Sequence, residues 1–155
     1  MIQIEIPGRE TMEIRHVVLD YNGTIAVDGV LLEDVRERMA RLKELAPVYV
    51  LTADTYGTVR AQCEDLGIEV MTFPRSGAAV CKEEIVRKLG GGVACFGNGY
   101  NDIQMFDAAE LAVAVLGGEG MCAALLPHAD VLVRSIADGL DLLLKPDRLR
   151  ADLRT

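Results

Sequence analysis

The sequence predicts an α/β fold, with a central, mostly parallel sheet wrapped by helices on both faces. Three observations lead there. The apolar runs "HVVLD" (16–20), "VYVLTA" (48–53), "VACFG" (93–97) and "LAVAV" (111–115) are continuous rather than alternating, as strands covered on both faces require. Helical spacing fills the stretches between them, and that alternation implies right-handed crossovers. Half of the 155 residues are hydrophobic but only 5% are aromatic, with no tryptophan, so the core must be aliphatic.

Taken in order, Ile2, Ile4 and Ile6 alternate with Gln3 and Glu5 in a half-buried strand that Pro7-Gly8 ends. Residues 12–20 read as a second strand whose end is apolar enough to be central. From Leu32 to Ala46, the residues Val35, Met39, Leu42 and Ala46 share one helical face, and Pro47 stops the helix. After the strand at 48–53, a helix runs from about Tyr56 to Leu66, closed by Gly67 in the C′ position. A strand is predicted over 68–73 and a helix over 82–89, with Gly90 after it. Further strands cover 93–97, 111–115 and 131–133, and further helices 101–108, 119–126 and 136–144. The tail "KPDRLRADLRT" mixes charge signs and reads as a solvated terminal turn, with Leu149 and Leu153 available to dock. No repeat, low-complexity stretch or linker interrupts the chain, so one domain is expected over residues 1–155.

The net charge of −8 and a pI near 4.7 leave no basic stripe to neutralise phosphates, which argues against a nucleic-acid partner. No apolar run approaches the roughly 18 residues of a membrane span, and no basic n-region with an apolar h-region is visible. A soluble, cytoplasmic protein with no membrane partner is the expectation. Cys63, Cys81, Cys95 and Cys122 lie far apart, with no CxxC pair, and read as buried free thiols.

In an open α/β sheet, ligands bind beyond the carboxyl ends of the strands. Polar groups mark four such places: "DYNGT" (20–24), "TAD" (52–54), the loop leading to Lys82, and "GNGYND" (97–102). Taken singly they are bland, since an Asp or Thr at a strand end often caps a turn or helix and a lone Lys is usually solvated. Together they supply the inventory of phosphoryl transfer. A carboxylate can attack phosphorus and share a divalent metal with a second carboxylate; a hydroxyl and backbone amides grip phosphate oxygens, and an ammonium offsets charge. Asp20, Thr52, Lys82 and Asp102 fill those roles, while Gly23 and Gly99 allow the backbone to approach closely.

The order and spacing of "VLDYNGT", "VLTAD", "CKEEIVRKL" and "CFGNGYNDIQMF" resemble the haloacid dehalogenase (HAD) superfamily of aspartate-nucleophile phosphotransferases. That family's pattern is a strand ending D-x-D-G-T, a second ending in Thr or Ser, a Lys, and an acidic G-D-G-x-x-D. The closest likeness is to the phosphorylation domain of P-type ATPases, and it spans nearly the entire chain. The resemblance implies a three-layer α/β/α, Rossmann-like fold and a Mg²⁺-dependent phosphohydrolase acting through an aspartyl phosphate. Asp20 would be the nucleophile, with Asn22 in the general acid/base position. Gly23, Thr52, Ala53 and Lys82 would bind phosphate, and Asp20, the Asn22 carbonyl, Asn98 and Asp102 would hold the metal, directly or through water.

Two departures from the pattern bear on activity. Asn22 replaces the acid that protonates the leaving group and activates water, help worth about 10²–10⁴-fold. Asn98 replaces the first acid of the fourth motif, which predicts weaker Mg²⁺ binding, since hard cations favour charged oxygen ligands. Only 27 residues separate Thr24 from Thr52 and 29 separate Thr52 from Lys82, so neither gap holds a cap domain or a nucleotide-binding domain. An open site follows, suited to a phosphorylated small molecule or macromolecule, or closed by a neighbouring subunit in a homo-oligomer. Residues 28–31 are predicted to form a protruding flap or a plain hairpin turning on Asp28-Gly29. Arg75 reads as a surface charge or a contact for a second anionic group, and Tyr21 and Tyr100 as packing beneath the loops. The alternative to a slow phosphatase is a HAD-fold regulatory module that keeps phosphate or metal affinity and has lost its chemistry.

Overall fold

The computed structural model describes residues 1–54 and 57–155. A six-stranded, all-parallel sheet forms its middle layer. Strands β1 (Ile2–Ile4) and β2 (Met12–Ile14) pair antiparallel beside it. The sheet begins with β3 (His16–Asp20), and a small hairpin, β4 (Ala26–Val27) and β5 (Val30–Leu31), leads into α1 (Glu33–Lys43). The chain continues through β6 (Val48–Thr52), α2 (Thr58–Cys63), β7 (Glu69–Thr72), α3 (Ala78–Lys88), β8 (Val93–Gly97) and α4 (Ile103–Asp107). It closes with β9 (Leu111–Val115), β10 (Val131–Val133), α5 (Ile136–Leu144) and α6 (Pro146–Leu153). The strand order is β10-β9-β8-β3-β6-β7. The chain builds outward from β3 through β6 to β7, then returns to β8 on the other side. That reversal opens a crevice at the carboxyl ends of β3 and β8, where such sheets bind ligands.

The continuous apolar runs explain the layers. Along β3, Val17 and Leu19 face one core and Val18 the other; along β8, Phe96 and Cys95 divide in the same way. One face is covered by α1, α2, α5, α6 and the β1–β2 pair, the other by α3 and α4. Asp141 on α5 ties its layer together. Its carboxylate accepts from Arg38 of α1 at 3.0 Å and lies 3.6 and 3.5 Å from Lys145 and Arg148. Burial works to raise its pKa, but these cations, Arg38 foremost, hold it below the usual carboxylate range.

Several predicted elements shift for identifiable reasons. The strand predicted over 12–20 breaks at Arg15, where the Arg15 and His16 amides both turn to the Gly92 carbonyl, at 2.7 and 3.2 Å. The first part then serves the β1–β2 pair and the second the main sheet. The helix predicted from Tyr56 begins at Thr58 among the described residues, and Tyr56 itself lies outside them. No helix spans 119–126. Gly117 to Gly120 make a turn and a 3₁₀ segment covers Ala123–His128, because three glycines before it and Pro127 within it oppose an α-helix. The tail is helix α6 rather than a solvated turn. Leu149 is fully buried, and Arg150 donates to the Glu5 carbonyl at 2.7 Å.

Residues 28–31 form the plain hairpin. Asp28 and Gly29 have φ of 52° and 79°, the left-handed pair that a two-residue turn between right-twisted strands needs. Tyr21 is buried as predicted and donates its hydroxyl to the Gly29 carbonyl at 2.9 Å, pinning the hairpin. Tyr100, expected to pack, is 71% exposed. All four thiols are free, but only Cys63 and Cys95 are buried; Cys81 and Cys122 are half-buried. Among the described residues, no helix is long and apolar enough to cross a membrane.

Candidate active site

The predicted residues converge at the carboxyl edge of the sheet. Asp20 ends β3, Thr52 ends β6, and Asn98 follows β8. Lys82 comes from the second turn of α3 rather than from a helix start, because the helix begins at Ala78. No side-chain cap announces that start in the sequence. Lys82 reaches up with its ammonium 2.9 Å from Asp20 Oδ1, 2.8 Å from Asp102 Oδ1 and 3.0 Å from Asn101 Oδ1. Phe73 lies beneath it, 6.0 Å from ring centroid to nitrogen. Asp20, Lys82 and Asp102 are all buried, so the ion triad sits at the floor of an open cleft of about 330 Å³.

The residues of this cleft divide into those that face it and those that organise it. Asp20, Asn22, Thr52, Ala53, Lys82 and Asn98 line it. The Thr52 hydroxyl accepts the Asp54 amide at 3.1 Å and donates to no other group among the described residues, so its proton is available to an anion. Asp102 stands one layer behind. Its Oδ1 is held by Lys82, and its Oδ2 accepts the amides of Asn98 and Gly99 at 3.1 and 3.0 Å. Gly23 also lies outside the lining, and its role is steric. At φ 79°, a Cβ there would fall 2.4 Å from Asn98 Nδ2. At Gly99 the expected close approach is absent; it occurs at Gly97, where a Cβ would lie 2.5 Å from Asp102 Oδ2.

Two residues that the motifs contained but that were given no role prove central. Thr24, the last residue of "DYNGT", places its hydroxyl 3.1 Å from both Asp20 Oδ2 and Asn98 Oδ1. Asn101, from "GYND", completes the cage around the Lys82 ammonium. Asn98 is itself built in, since its Nδ2 donates to the Gly120 carbonyl at 3.2 Å and its carbonyl accepts from Cys122 N at 2.8 Å. An aspartate at 98 would set a carboxylate oxygen against the Gly120 carbonyl, so asparagine suits this loop.

Among the described residues, no three carboxylate, imidazole or thiol groups gather within metal-binding range. Oxygen donors nevertheless converge on the Thr24 hydroxyl, namely Asp20 Oδ2 and Asn98 Oδ1, and Asn22 lines the same cleft as Asp20 and Asn98. Mg²⁺ keeps several waters and is commonly held by one or two carboxylates plus substrate phosphate. The donor set fits such an ion.

Two buried carboxylates share one ammonium. Burial and the neighbouring Asp102 push Asp20 up to about 7 against the pull of Lys82, so it keeps a proton that a free Asp would lose near pH 4. Burial disfavours the Lys82 charge, but the two carboxylates outweigh it and raise its pKa. Folding therefore takes up a proton between about pH 4 and 7, and the metal-free protein loses stability as pH rises through that window. Asp20→Asn should remove this slope. At pH 8 the variant should be more stable than wild type by about 1–4 kcal/mol, and at pH 4 the gap should nearly close, as measured by urea unfolding in EDTA.

Comparisons with known proteins bear on the fold. No family model matches the chain. Two uncharacterised proteins of Methanocaldococcus jannaschii are similar: one is 56% identical over 39 residues (25% of this chain, 89% of that one), the other 39% identical over 62 residues (40% and 67%). A soluble P-type ATPase-like phosphatase of the same organism is 26% identical over 126 residues; these are 79% of this chain but 46% of that one, so the chain spans about half of that relative. Among solved structures, the cobalt-bound deoxy-D-mannose-octulosonate 8-phosphate phosphatase of Haemophilus influenzae superposes with a TM-score of 0.74 at 16% identity, covering 93% of this chain and 95% of that one. The enzyme from Moraxella catarrhalis, in complex with magnesium, phosphate and its sugar acid, gives 0.73 at 16%, covering 92% and 95%. A Streptomyces avermitilis protein described as a HAD-family hydrolase gives 0.69 at 21%, covering 87% of each chain. The three-layer fold with its central parallel sheet is thus shared with these structures, and this chain has the fold of HAD-family hydrolases.

Proposed function

We propose that this chain is a Mg²⁺-dependent phosphohydrolase that forms an aspartyl phosphate on Asp20 and turns over slowly. The observation that carries this reading is the Lys82 ammonium at 2.9 Å from Asp20, on the floor of a cleft open to solvent. An ammonium there holds Asp20 in place and offsets the charge of an incoming phosphate, while Thr52 and the Ala53 amide grip its outer oxygens. An Asp20 carboxylate oxygen would bond to phosphorus as the ester oxygen departs with its electron pair; water would then attack phosphorus and restore the carboxylate. A divalent cation, when bound, supplies further charge neutralisation at the phosphoryl group.

Asn22 lines the cleft but has no proton to give and no base to offer. Esters with good leaving groups should therefore react best, and for these hydrolysis of the phospho-Asp20 bond should limit turnover. The phosphatase name of the M. jannaschii relative and the metal-bound phosphatases of the same fold support this reading. A second reading, a binding module without chemistry, draws on the two asparagines and on the absence of a three-acid metal cluster among the described residues. Release of phosphate from p-nitrophenyl phosphate and acetyl phosphate separates the two. Mg²⁺-dependent release that Asp20→Asn abolishes is expected. Binding of phosphate without any release would favour the module.

A further inference from the structure

The cleft over Asp20 continues into a second of about 270 Å³, and the two share Asn22, Ala53 and Arg75. The second cleft runs between the hairpin, through Gly29, and the start of α2, through Thr58 and Val59. A phosphate seated at Asp20 would thus direct its organic group past Arg75. We infer that Arg75 is a specificity-determining subsite for a carboxylate on that organic group, so that the preferred substrates are phosphate esters of small hydroxy acids. This inference rests on the phosphohydrolase reading and names its substrate class.

Three observations support it. Arg75 is exposed and has no hydrogen-bond or ion-pair partner among the described residues, whereas Arg15, Arg36, Arg38, Arg87, Arg148 and Arg150 each hold a carboxylate. Arg41, Arg134 and Arg154 also hold no carboxylate among the described residues, but of these unpaired guanidinium groups it is Arg75 that lines the cleft over Asp20. Lys82 is the other cation on the cleft wall, and its ammonium is already shared by Asp20 and Asp102. Finally, the acid that shares the second cleft, Asp54, already engages its Oδ2 with the Thr58 hydroxyl and the Val59 amide at the start of α2. A guanidinium offers a planar fork that matches a carboxylate in two parallel bonds, so it would discriminate between a hydroxy-acid ester and an ester of a neutral alcohol.

The test is calorimetric titration of Asp20→Asn protein, in Mg²⁺, with 3-phosphoglycerate, glycerol 3-phosphate and fructose 1,6-bisphosphate. Phosphoglycerate should bind about tenfold more tightly than glycerol phosphate. Adding Arg75→Gln should close that gap, and Arg75→Lys should restore part of it. Equal affinities for the first two ligands, or a gap that survives Arg75→Gln, would overturn the subsite. A gap seen with the bisphosphate and not with phosphoglycerate would overturn its assignment to a carboxylate. Turnover of p-nitrophenyl phosphate by the wild-type protein reads the underlying activity separately, so a failed subsite is distinguishable from a failed phosphohydrolase.

Discussion

Asn22→Asp should raise turnover on alkyl phosphates by about 10²–10⁴-fold, the usual worth of general acid–base help. The residue is exposed and lines the cleft beside Asp20, so a carboxylate there reaches the same volume as the leaving oxygen. It would act twice, giving a proton to the departing alkoxide and then taking one from the attacking water. The gain should be largest for poor leaving groups, for which protonation decides the first step. With an acyl phosphate only the second step should quicken. Because position 22 is solvent-facing, the substitution should cost little stability, and kcat measured on alkyl and acyl phosphates side by side checks both expectations. An unchanged kcat on both would mean that more than this acid separates the chain from an efficient phosphatase.

Lys82→Met should destabilise the fold strongly. It keeps much of the side-chain volume over Phe73 and removes the one charge that holds Asp20 and Asp102 together. Stripping one partner from a buried ion pair typically costs about 3–5 kcal/mol, because the remaining charge is left uncompensated. Here two carboxylates are left, so the loss should lie at the upper end above pH 7. It should shrink in acid, where Asp20 takes a proton. Adding Asp20→Asn should recover part of the loss, since it removes one of the stranded charges. Phosphate release should fall at least about 10²-fold, the typical cost of losing one charge-stabilising donor. Urea unfolding at pH 5 and pH 8, with phosphate release on the same samples, reads both effects.

The central strands were legible because they are covered on both faces. β3 as the end of its run, β8, β9 and β10 fall where the apolar stretches lie, and β10 at the sheet edge still carries "VLV". The four motifs were legible for the same reason, since each follows a strand that patterning alone can place. What stayed hidden depends on tertiary contacts. α3 starts at Ala78 without a capping side chain, so Lys82 looked like a helix start although it lies a full turn inside. α6 forms because Leu149 finds the core and Arg150 finds the Glu5 carbonyl, partners more than 140 residues away. The fit of Asn98 to its loop depends on the Gly120 carbonyl, 22 residues downstream, which no local pattern announces. Read from sequence alone, Asn98 is only a missing acid; in the fold it is a tether.

The most direct test of the account is to react the protein with acetyl phosphate and Mg²⁺, quench in acid, and locate any covalent phosphoryl group by mass spectrometry of peptides. The account predicts a single hydroxylamine-sensitive phosphoryl group on Asp20, accumulating because Asn22 does not activate the water that would remove it. Phosphate released without any adduct, or an adduct that persists in Asp20→Asn, would contradict it.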